Sequence, residues 1–566
     1  MQNIVFLILR RMRPPLLTLL MVYAIAVLGL TLIPGRDADG NVWQMSIFHA
    51  FYFVSYMATT IGFGEIPHAF TDAQRLWVSL SLYAAVIAWI YAFGTILALV
   101  QDRTFLEALA EYRFARRIRR MREPFHLVCG YGETGTALVR ALTLRGQHAV
   151  VIDIDEMRTR MVQLQDLREY VPALHGDAAV TRHLQEAGLQ HPACAAVVAL
   201  TNDNDVNLKI AITAKLLNPD LKVICRADSH DVEANMASFG TNHIVDPFDT
   251  FAGHLAVAFQ APCLYLLHRW LTGRQGSALS EPVYPPQDGH WIVCGYGRFG
   301  TAICRRLKTE GVRVVIVEAR PEVTGRPDGD FVIGRGTEAD TLNEAGIEQA
   351  AGLVAGTDDD ANNLSIVMTA RELNPDVFVI VRQNHNDNRD IIAAVGADMV
   401  MHPSAIIADK IRVLLATPML YEFMSLALYQ DDTWACQLVS RVAALVRDEV
   451  PDICEWSVEA GDGGVLRDYL ANGGQFSIEE LLRDPWQRQR GLKSIVLLIH
   501  RRNDRLLLPG ADTMLKVGDR LLMCGNRAAF TRMNWTVSHR HTLDYVKTGQ
   551  DRPQGWLWRK LSQRGR

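Results

Sequence analysis

Two uncharged apolar runs organise the first hundred residues: LLTLLMVYAIAVLGLTLI at 16–33, about 18 long, and LWVSLSLYAAVIAWIYAFGTILALV at 76–100, about 25 long. A helix needs roughly 20 such residues to cross a bilayer, so both predict membrane spans. Between them, VWQMSIFHAFYFVSYMATTIGFGEIPH is too short in its apolar part for a comfortable third crossing and ends in a glycine-punctuated turn. The pattern predicts a re-entrant helix and loop over 44–65. After residue 100 the periodicity changes. QDRTFLEALAEYRFARRIRRMREP is charged and predicts a linker helix over 101–124, stopped at Pro124. Next comes FHLVCGYGETGTALVRALTLRGQHAVVIDID, an apolar strand, a tight turn, a helix and a second strand, and HWIVCGYGRFGTAICRRLKTEGVRVVIVEA repeats it. Alternating strands with an NDR turn follow in GLKSIVLLIHRRNDRLLLPGADTMLKVGDRLLMCG.

The expected fold is therefore an α-helical two-span membrane domain followed by two α/β Rossmann-like domains, the second carrying an α+β subdomain. The expected boundaries are a two-span membrane unit at 1–100, the linker helix at 101–124, the first Rossmann domain at 125–250 and a crossover helix and linker at 251–289. The second Rossmann domain occupies 290–410, its C-terminal subdomain 411–535 and a basic, aromatic tail 536–566.

Composition narrows the function classes. The chain is 49% hydrophobic and 21% charged with a net charge of -4, which excludes a largely disordered chain, a transporter made mostly of spans and a polycation suited to nucleic acid. Nine cysteines without a CxxC pair argue against a zinc framework or a disulfide scaffold and place most of the chain in a reducing cytoplasm. Arg10, Arg11 and Arg13 precede the first span, and Arg113, Arg116, Arg117, Arg119, Arg120 and Arg122 follow the second. By the positive-inside rule both termini are cytoplasmic, in a multi-pass protein of the plasma (inner) membrane. The segment TLIPGRDADG lacks a small-x-small cleavage pattern, and a second span follows, so the first run reads as a span and not as a signal peptide. There is no arginine-rich extra span to sense voltage. The arginines after the second span read first as ordinary topogenic charge on a solvated helix and second as a contact for anionic lipid headgroups.

Non-helical backbone at membrane depth is tolerated only where it is buried in protein or faces water, so TTIGFG between two spans points to a pore lining. Glycines at 62 and 64 permit positive φ, which lets successive carbonyls aim inward and replace the hydration shell of a cation. Here the sequence resembles the potassium-channel family: Thr60, Ile61, Gly62, Phe63 and Gly64 match its TVGYG signature position for position, with Ile for Val and Phe for Tyr. The resemblance implies that the carbonyls of Thr60 to Phe63 and the Thr60 hydroxyl coordinate K⁺ on the axis of a homotetramer. Phe63 lacks the hydroxyl that usually braces such a filter, and Glu65 stands where Asp is commoner.

In each Rossmann copy the glycines follow the dinucleotide-binding order. Gly130 allows the tight turn, Gly132 lets backbone approach a pyrophosphate and Gly135 permits close helix-to-strand packing. Glu133 and Thr134 complete that turn. Asp153, 23 positions after Gly130, stands where a carboxylate holds ribose hydroxyls and repels a 2′-phosphate, favouring NAD or ADP/ATP over NADP. Gly295, Gly297, Gly300 and Glu318 repeat the arrangement 165 residues later, with Arg298 and Phe299 inside the turn. Downstream, LQEAGLQHPACAAVVALTNDNDVNLKIAITAKLLNPDLKVICRA parallels LNEAGIEQAAGLVAGTDDDANNLSIVMTARELNPDVFVIVRQ. Both resemble the RCK (regulator of K⁺ conductance, TrkA-N) family, and the last module resembles TrkA-C. From residue 16 to about 530 the chain resembles a two-span potassium channel with tandem RCK domains, of the bacterial ligand-gated type.

The copies differ where a nucleotide would sit. DEMRTRMVQLQDLREY between the second and third strands of the first copy predicts a helix; ARPEVTGRPDGD in the second is about seven residues shorter and broken by Pro321, Gly325 and Pro327. Asp177 in HGDA corresponds to Arg335 in GRGT, and Arg298 can reach a phosphate. The second pocket is expected to prefer a different or more heavily phosphorylated ligand, or to fill itself. Asp203 and Asp205 in TNDND, and Asp358 and Asp359 in TDDDANN, suit Ca²⁺ ligation or helix N-caps.

No Ser/His/Asp order, HExxH or P-loop accompanies these folds, so no enzyme activity is expected. The resemblance implies a ligand-gated, K⁺-selective channel in the lipid bilayer. Its four subunits would supply eight RCK lobes to a cytoplasmic ring that pulls residues 101–123 and bends the second span near Gly94. A membrane-anchored NAD-dependent oxidoreductase would explain the Rossmann repeats but not TTIGFG. A regulatory subunit of another K⁺ transporter would need no pore of its own, and a non-selective cation channel would keep the architecture and lose the K⁺ preference.

Overall fold

The computed structural model describes residues 2–228, 230–273, 276–459 and 464–550. They form two compact units, Met1–Met121 and Arg122–Arg566.

In the first unit a helix runs over Gln2–Leu32, beginning well before the apolar run and continuing through Pro14 and Pro15. Proline's fixed φ is compatible with a helix, so the tandem removes two N–H donors without ending it. A second long helix, Asp72–Gln101, opens on a Thr71/Gln74 capping box and runs unbroken through Ala92 and Gly94. Each helix has a window of mean hydropathy 2.0 or above of which only 17% and 22% is buried. A core helix of a soluble protein would be mostly covered; these expose apolar side chains on most sides, as a lipid-facing helix does. Trp77 locks the pair, its indole N–H donating to the Ala26 carbonyl at 3.1 Å. A Cβ at Gly29 would fall 2.0 Å from that ring, so only glycine fits there. The helix Ile47–Ala58, capped by Ser46, lies between them in sequence and buries Phe53, Val54, Tyr56 and Met57. The linker helix spans Arg103–Ile118 and ends ahead of Pro124. It breaks from the preceding helix at Asp102, whose carboxylate accepts from Phe105 N at 3.2 Å and meets Arg11 at 2.6 Å.

The second unit holds two six-stranded parallel sheets. Counted in chain order within each copy, the spatial order is 3-2-1-4-5-6 in both, the doubly wound order of a dinucleotide-binding fold. Phe125–Cys129 is buried at every position and His290–Cys294 nearly so. This is why these strands read as unbroken apolar runs instead of alternating ones. The two copies exchange helices. Pro247–Gln260, leaving the first sheet, packs Phe248, Phe251 and Leu255 against Phe299, Ile303 and Leu307 of the second copy. Pro403–Ala416, leaving the second sheet, returns Ile407, Ala408, Ile411 and Leu414 to Leu138 and Leu142 of the first. Each Rossmann core is completed by the other's exit helix.

The C-terminal subdomain is a four-stranded antiparallel sheet, in spatial order Asp452–Ser457, Arg520–Gly525, Ser494–Arg501 and Asp504–Leu507. Helices Arg527–Ser538 and Arg540–Thr548 close over it. Leu543 and Val546, three residues apart on one helical face, are fully buried. The stretch 536–548, expected as the start of a basic tail, is therefore part of this core. Residues 551–566 of that expected tail lie outside the described residues.

Cys263 and Cys436 are joined by a disulfide. The absence of any regular cysteine spacing gave no sign of it, because the two come from helices far apart in sequence.

Candidate functional site

The TTIGFG loop hangs from the C-terminus of Ile47–Ala58. Thr60 N donates to the Met57 carbonyl at 3.1 Å and Ile61 N to the Tyr56 carbonyl at 3.0 Å, so the loop starts from a fixed helix end. Thr60, Gly62 and Gly64 have φ of 61°, 67° and 92°, and the residues between them are not positive. Alternation of this sign turns successive main-chain polar groups to one side of the chain. Thr60 is the non-glycine member and carries backbone strain there.

The loop is braced from two directions. The Tyr56 hydroxyl donates to the Gly64 carbonyl at 2.5 Å, and its ring meets Phe63 edge-on at 5.4 Å between centroids. Glu65 accepts from Arg75 through both oxygens, at 2.9 and 3.2 Å, and from Phe70 N at 2.9 Å. Tyr56 and Arg75 are absent from the sequence-derived set. Neither belongs to the five-residue signature, and only the folded hairpin brings them to it. The hydroxyl in this brace comes from the tyrosine seven residues before Phe63.

In the first Rossmann copy the three glycines of the turn differ in their surroundings. Gly130 has φ of 102° and a Cβ there would fall 2.9 Å from the Leu200 carbonyl carbon; a Cβ on Gly135 would fall 2.1 Å from the Gly130 oxygen. A Cβ at Gly132 would meet only Arg158, at 3.8 Å. Gly132 is also the N-cap of helix Glu133–Leu144 and no side chain caps it, which leaves N–H groups for an anion. A cleft of about 930 Å³ opens at this turn, lined among others by Tyr131, Gly132, Glu133, Arg140, Arg158 and Asn386. Asp153 stands beside the turn, almost fully buried, accepting from Tyr131 N and from Asp155 N at 2.8 Å. A carboxylate has about four lone-pair positions, so these bonds leave acceptor capacity for a ribose.

Other expected residues have protein partners of their own. Thr134 is buried and Phe299 fully so, the latter packed on Phe248 and Phe251, so both side chains serve the core. Glu133 reaches to the second copy, accepting from Asn386 N at 3.2 Å and Ser404 Oγ at 3.4 Å. Asp177 accepts from Ala179 N at 2.8 Å, and Arg335 is exposed. Asp203 and Asp359 are the N-caps of helices Asn204–Leu217 and Asp360–Leu373. The His/Cys/Asp/Glu grouping close enough to hold a metal among the described residues is Cys263, Asp432 and Cys436, not these acids.

The second copy keeps the turn and changes the residues around it. A Cβ on Gly300 would fall 1.9 Å from the Gly295 oxygen, and Glu318 accepts from Tyr296 N at 2.6 Å and Arg320 N at 2.8 Å. Arg298, at the position equivalent to Glu133, pairs with Asp228 of the first copy at 3.0 Å and lies over the Phe248 ring at 5.3 Å. Arg382 covers the same ring at 5.3 Å, and burial lowers its pKa. The ribose-side helix shrinks to Pro321–Thr324 and ends at Gly325 with φ of 93°. A repeated clamp stiffens both copies: buried Asn207 and Asn363 donate to the carbonyls of Arg226 and Arg382 and accept from Thr201 N and Thr357 N. Burial works to raise the Asp360 pKa; hydrogen bonds from Asn388, Asn384 and His385 outweigh it and hold the carboxyl low.

Comparison with known proteins divides the chain the same way. Residues 17–102 match the family described as Ion channel, and residues 126–247 and 291–403 each match the TrkA-N domain. Potassium channel protein 1 of Methanocaldococcus jannaschii is 22% identical over 252 residues, 44% of this chain and 66% of that protein. The Trk system potassium uptake protein TrkA homolog of Pyrococcus abyssi is 33% identical over 137 residues, 22% of this chain and 60% of that one. Each of these relatives is thus matched over less than two thirds of its length. A solved GsuK channel shares the fold at a TM-score of 0.51 and 18% identity, covering 95% of this chain and all of that one. Neither relative is described as an enzyme. In chain order, two apolar helices within a segment that matches the Ion channel family precede two segments that match the TrkA-N domain, an arrangement similar to that of two-span potassium channels with RCK domains.

Proposed function

We propose that the protein is a K⁺-selective channel in which four copies surround an axial path and a ring of eight Rossmann lobes sets the gate. The carbonyls of Thr60, Ile61, Gly62 and Phe63 and the Thr60 hydroxyl replace water around the ion. The observation that carries the reading is the alternating φ at Thr60, Gly62 and Gly64 in a loop set between two membrane-length helices. A single chain leaves Ile61 and Phe63 61% and 62% exposed, surface that neighbouring copies would cover. Basic segments at both outer ends of the span pair favour cytoplasmic termini, and with them a plasma (inner) membrane location with the lobes in the cytoplasm.

The regulatory ligand in this reading is an adenine nucleotide, NAD or ADP/ATP, held in the first copy. Its diphosphate lies on the Gly132 turn and its ribose beside Asp153, whose charge disfavours a 2′-phosphate. In the second copy Arg298, paired with Asp228 and laid over Phe248, stands at the equivalent place and disfavours the same ligand there. Use of Asp203 and Asp359 as helix caps favours nucleotide over Ca²⁺ as the signal. Four sites, each preferring one ring shape by roughly 1 kcal/mol, would together shift the gate by about 4 kcal/mol, near a thousandfold.

The test is uptake of radioactive rubidium into liposomes holding the purified chain, competed by Na⁺ or K⁺ and titrated with each nucleotide. Uptake suppressed by K⁺, indifferent to Na⁺ and altered by a nucleotide supports the reading. Tight vesicles, or equal competition by both ions, overturn it.

A further inference from the structure

The cysteines differ sharply in their surroundings. Cys129, Cys194, Cys225, Cys294, Cys304 and Cys524 are buried, and burial pushes the Cys194, Cys225, Cys294, Cys304 and Cys524 thiols up to about 12. They are packing residues, inert toward exchange. Cys263 and Cys436 are half-buried and bonded to one another, although 173 residues separate them.

Asp432 sits between the two. Its Oδ1 accepts from Cys263 N at 3.0 Å and Leu264 N at 3.2 Å, capping the helix Pro262–Thr272, and Cys436 Sγ lies 3.8 Å from its Oδ2. Cys436 is on the same helix as Asp432, Asp432–Ala443. The two helices also share an apolar core in which Leu264, Leu267 and Leu271 meet Ala435, Leu438 and Val442. The carboxylate and this core tie the two helices together by contacts that do not run through the sulfurs.

We propose that Cys263 and Cys436, positioned by Asp432, form a reversible dithiol site that exchanges with low-molecular-weight disulfides of the glutathione class. In the forward direction one thiolate attacks a sulfur of the small disulfide and expels one small thiolate, leaving a mixed disulfide on the protein. The second thiolate attacks the protein sulfur of that intermediate and expels the other small thiolate. The protein loses two electrons, the small disulfide gains them, and the two thiol protons pass to the departing thiolates. Reduction is the reverse, by two small thiols.

The consequence is mechanical. The second Rossmann copy, 290–401, lies within the loop that the bond closes, so oxidation ties the helix Pro262–Thr272, which follows the exit helix of the first copy, to the C-terminal subdomain across it. The site does not depend on the channel reading.

The test uses the full chain in detergent, equilibrated across glutathione buffers from fully reduced to fully oxidised, then quenched with an alkylating mass tag and mapped as peptides without reduction. The expected result is a single reversible transition in which two thiols per chain appear on reduction, both in the peptides of Cys263 and Cys436, while the six buried cysteines stay untagged until denaturation. Cys263→Ser should abolish the transition and leave Cys436 taggable in every buffer, beside half-buried Cys454, which lies outside the bond and is taggable throughout. Asp432→Asn should shift its midpoint while the chain still elutes as folded protein. Persistence of the bond in fully reduced buffer would make it a fixed structural link, and failure to form it in fully oxidised buffer would leave an ordinary thiol pair. Either result overturns the proposal.

Discussion

Replacing Tyr56 by Phe removes one oxygen from a side chain that is 4% exposed and leaves its ring packed beside Phe63. The hydrogen bond lost is the 2.5 Å donation to the Gly64 carbonyl. Gly64 lies just outside the carbonyls assigned to the ion, so the change removes support and not a ligand. A buried neutral hydrogen bond contributes about 0.5–1.5 kcal/mol net. In a fourfold assembly whose loops hold or collapse together, four such bonds amount to roughly 2–6 kcal/mol, about 30-fold to beyond ten-thousandfold in the ratio of ordered to collapsed filter. The assay is rubidium uptake and its Na⁺ competition for Tyr56→Phe against the parent, with size-exclusion elution checking assembly. We expect normal assembly, flux reduced at least tenfold and partial loss of discrimination against Na⁺, with high external K⁺ restoring flux by occupying the loop. Unchanged flux and selectivity in a properly assembled variant would refute the idea that Tyr56 takes over the missing Phe63 hydroxyl.

Three further outcomes follow from the cytoplasmic unit. Gly135→Ala and Gly300→Ala place a Cβ 2.1 and 1.9 Å from the carbonyl at the start of their own turns, so each should lower stability by about 1–3 kcal/mol. Calorimetric titration with ADP or NAD should lose binding only in Gly135→Ala; loss in both would contradict a single open cleft. Arg298→Ala removes the 3.0 Å pair to Asp228 from a half-exposed side chain, so no more than about 1 kcal/mol is expected, seen as a small fall in Tm that shrinks with added salt. A Tm indifferent to the substitution at low salt would count against that pair as an interlobe tie. Burial pushes His126 and His268 down to about 4, so the fold keeps both neutral while the unfolded chain protonates near the ordinary 6.5. Their folded pKa lies below the unfolded one, so the stabilisation is complete above about 6.5 and drains away between there and about 4, by as much as about 3 kcal/mol each. Urea midpoints that rise on acidification through that window would contradict it.

How much was legible depended on whether the signal was local. The spans, the two glycine turns and the apolar strands read directly, because length, periodicity and a few steric demands decide them. Gly135 is an example, since its neighbour is five residues away. The difference between the two copies was also readable, from Arg298 and the broken ARPEVTGRPDGD segment. What escaped involved partners distant in sequence. The exchange of Pro247–Gln260 and Pro403–Ala416 between copies leaves only ordinary amphipathic helices in the sequence. Glu133 read as a residue of the turn, and its second set of contacts, to Asn386 and Ser404 of the other copy, did not show in the sequence. Tyr56 and the Cys263–Cys436 bond escaped for the same reason. The 540–548 helix was hidden by its basic composition, which outweighed the two buried positions at 543 and 546.

The most direct measurement is the reversal potential of currents from the purified chain in a planar bilayer with K⁺ on one side and Na⁺ on the other. A path lined by the main-chain oxygens of Thr60 to Phe63 predicts a reversal potential far toward the K⁺ equilibrium value. A reversal near zero, or no current with any nucleotide added, would contradict it.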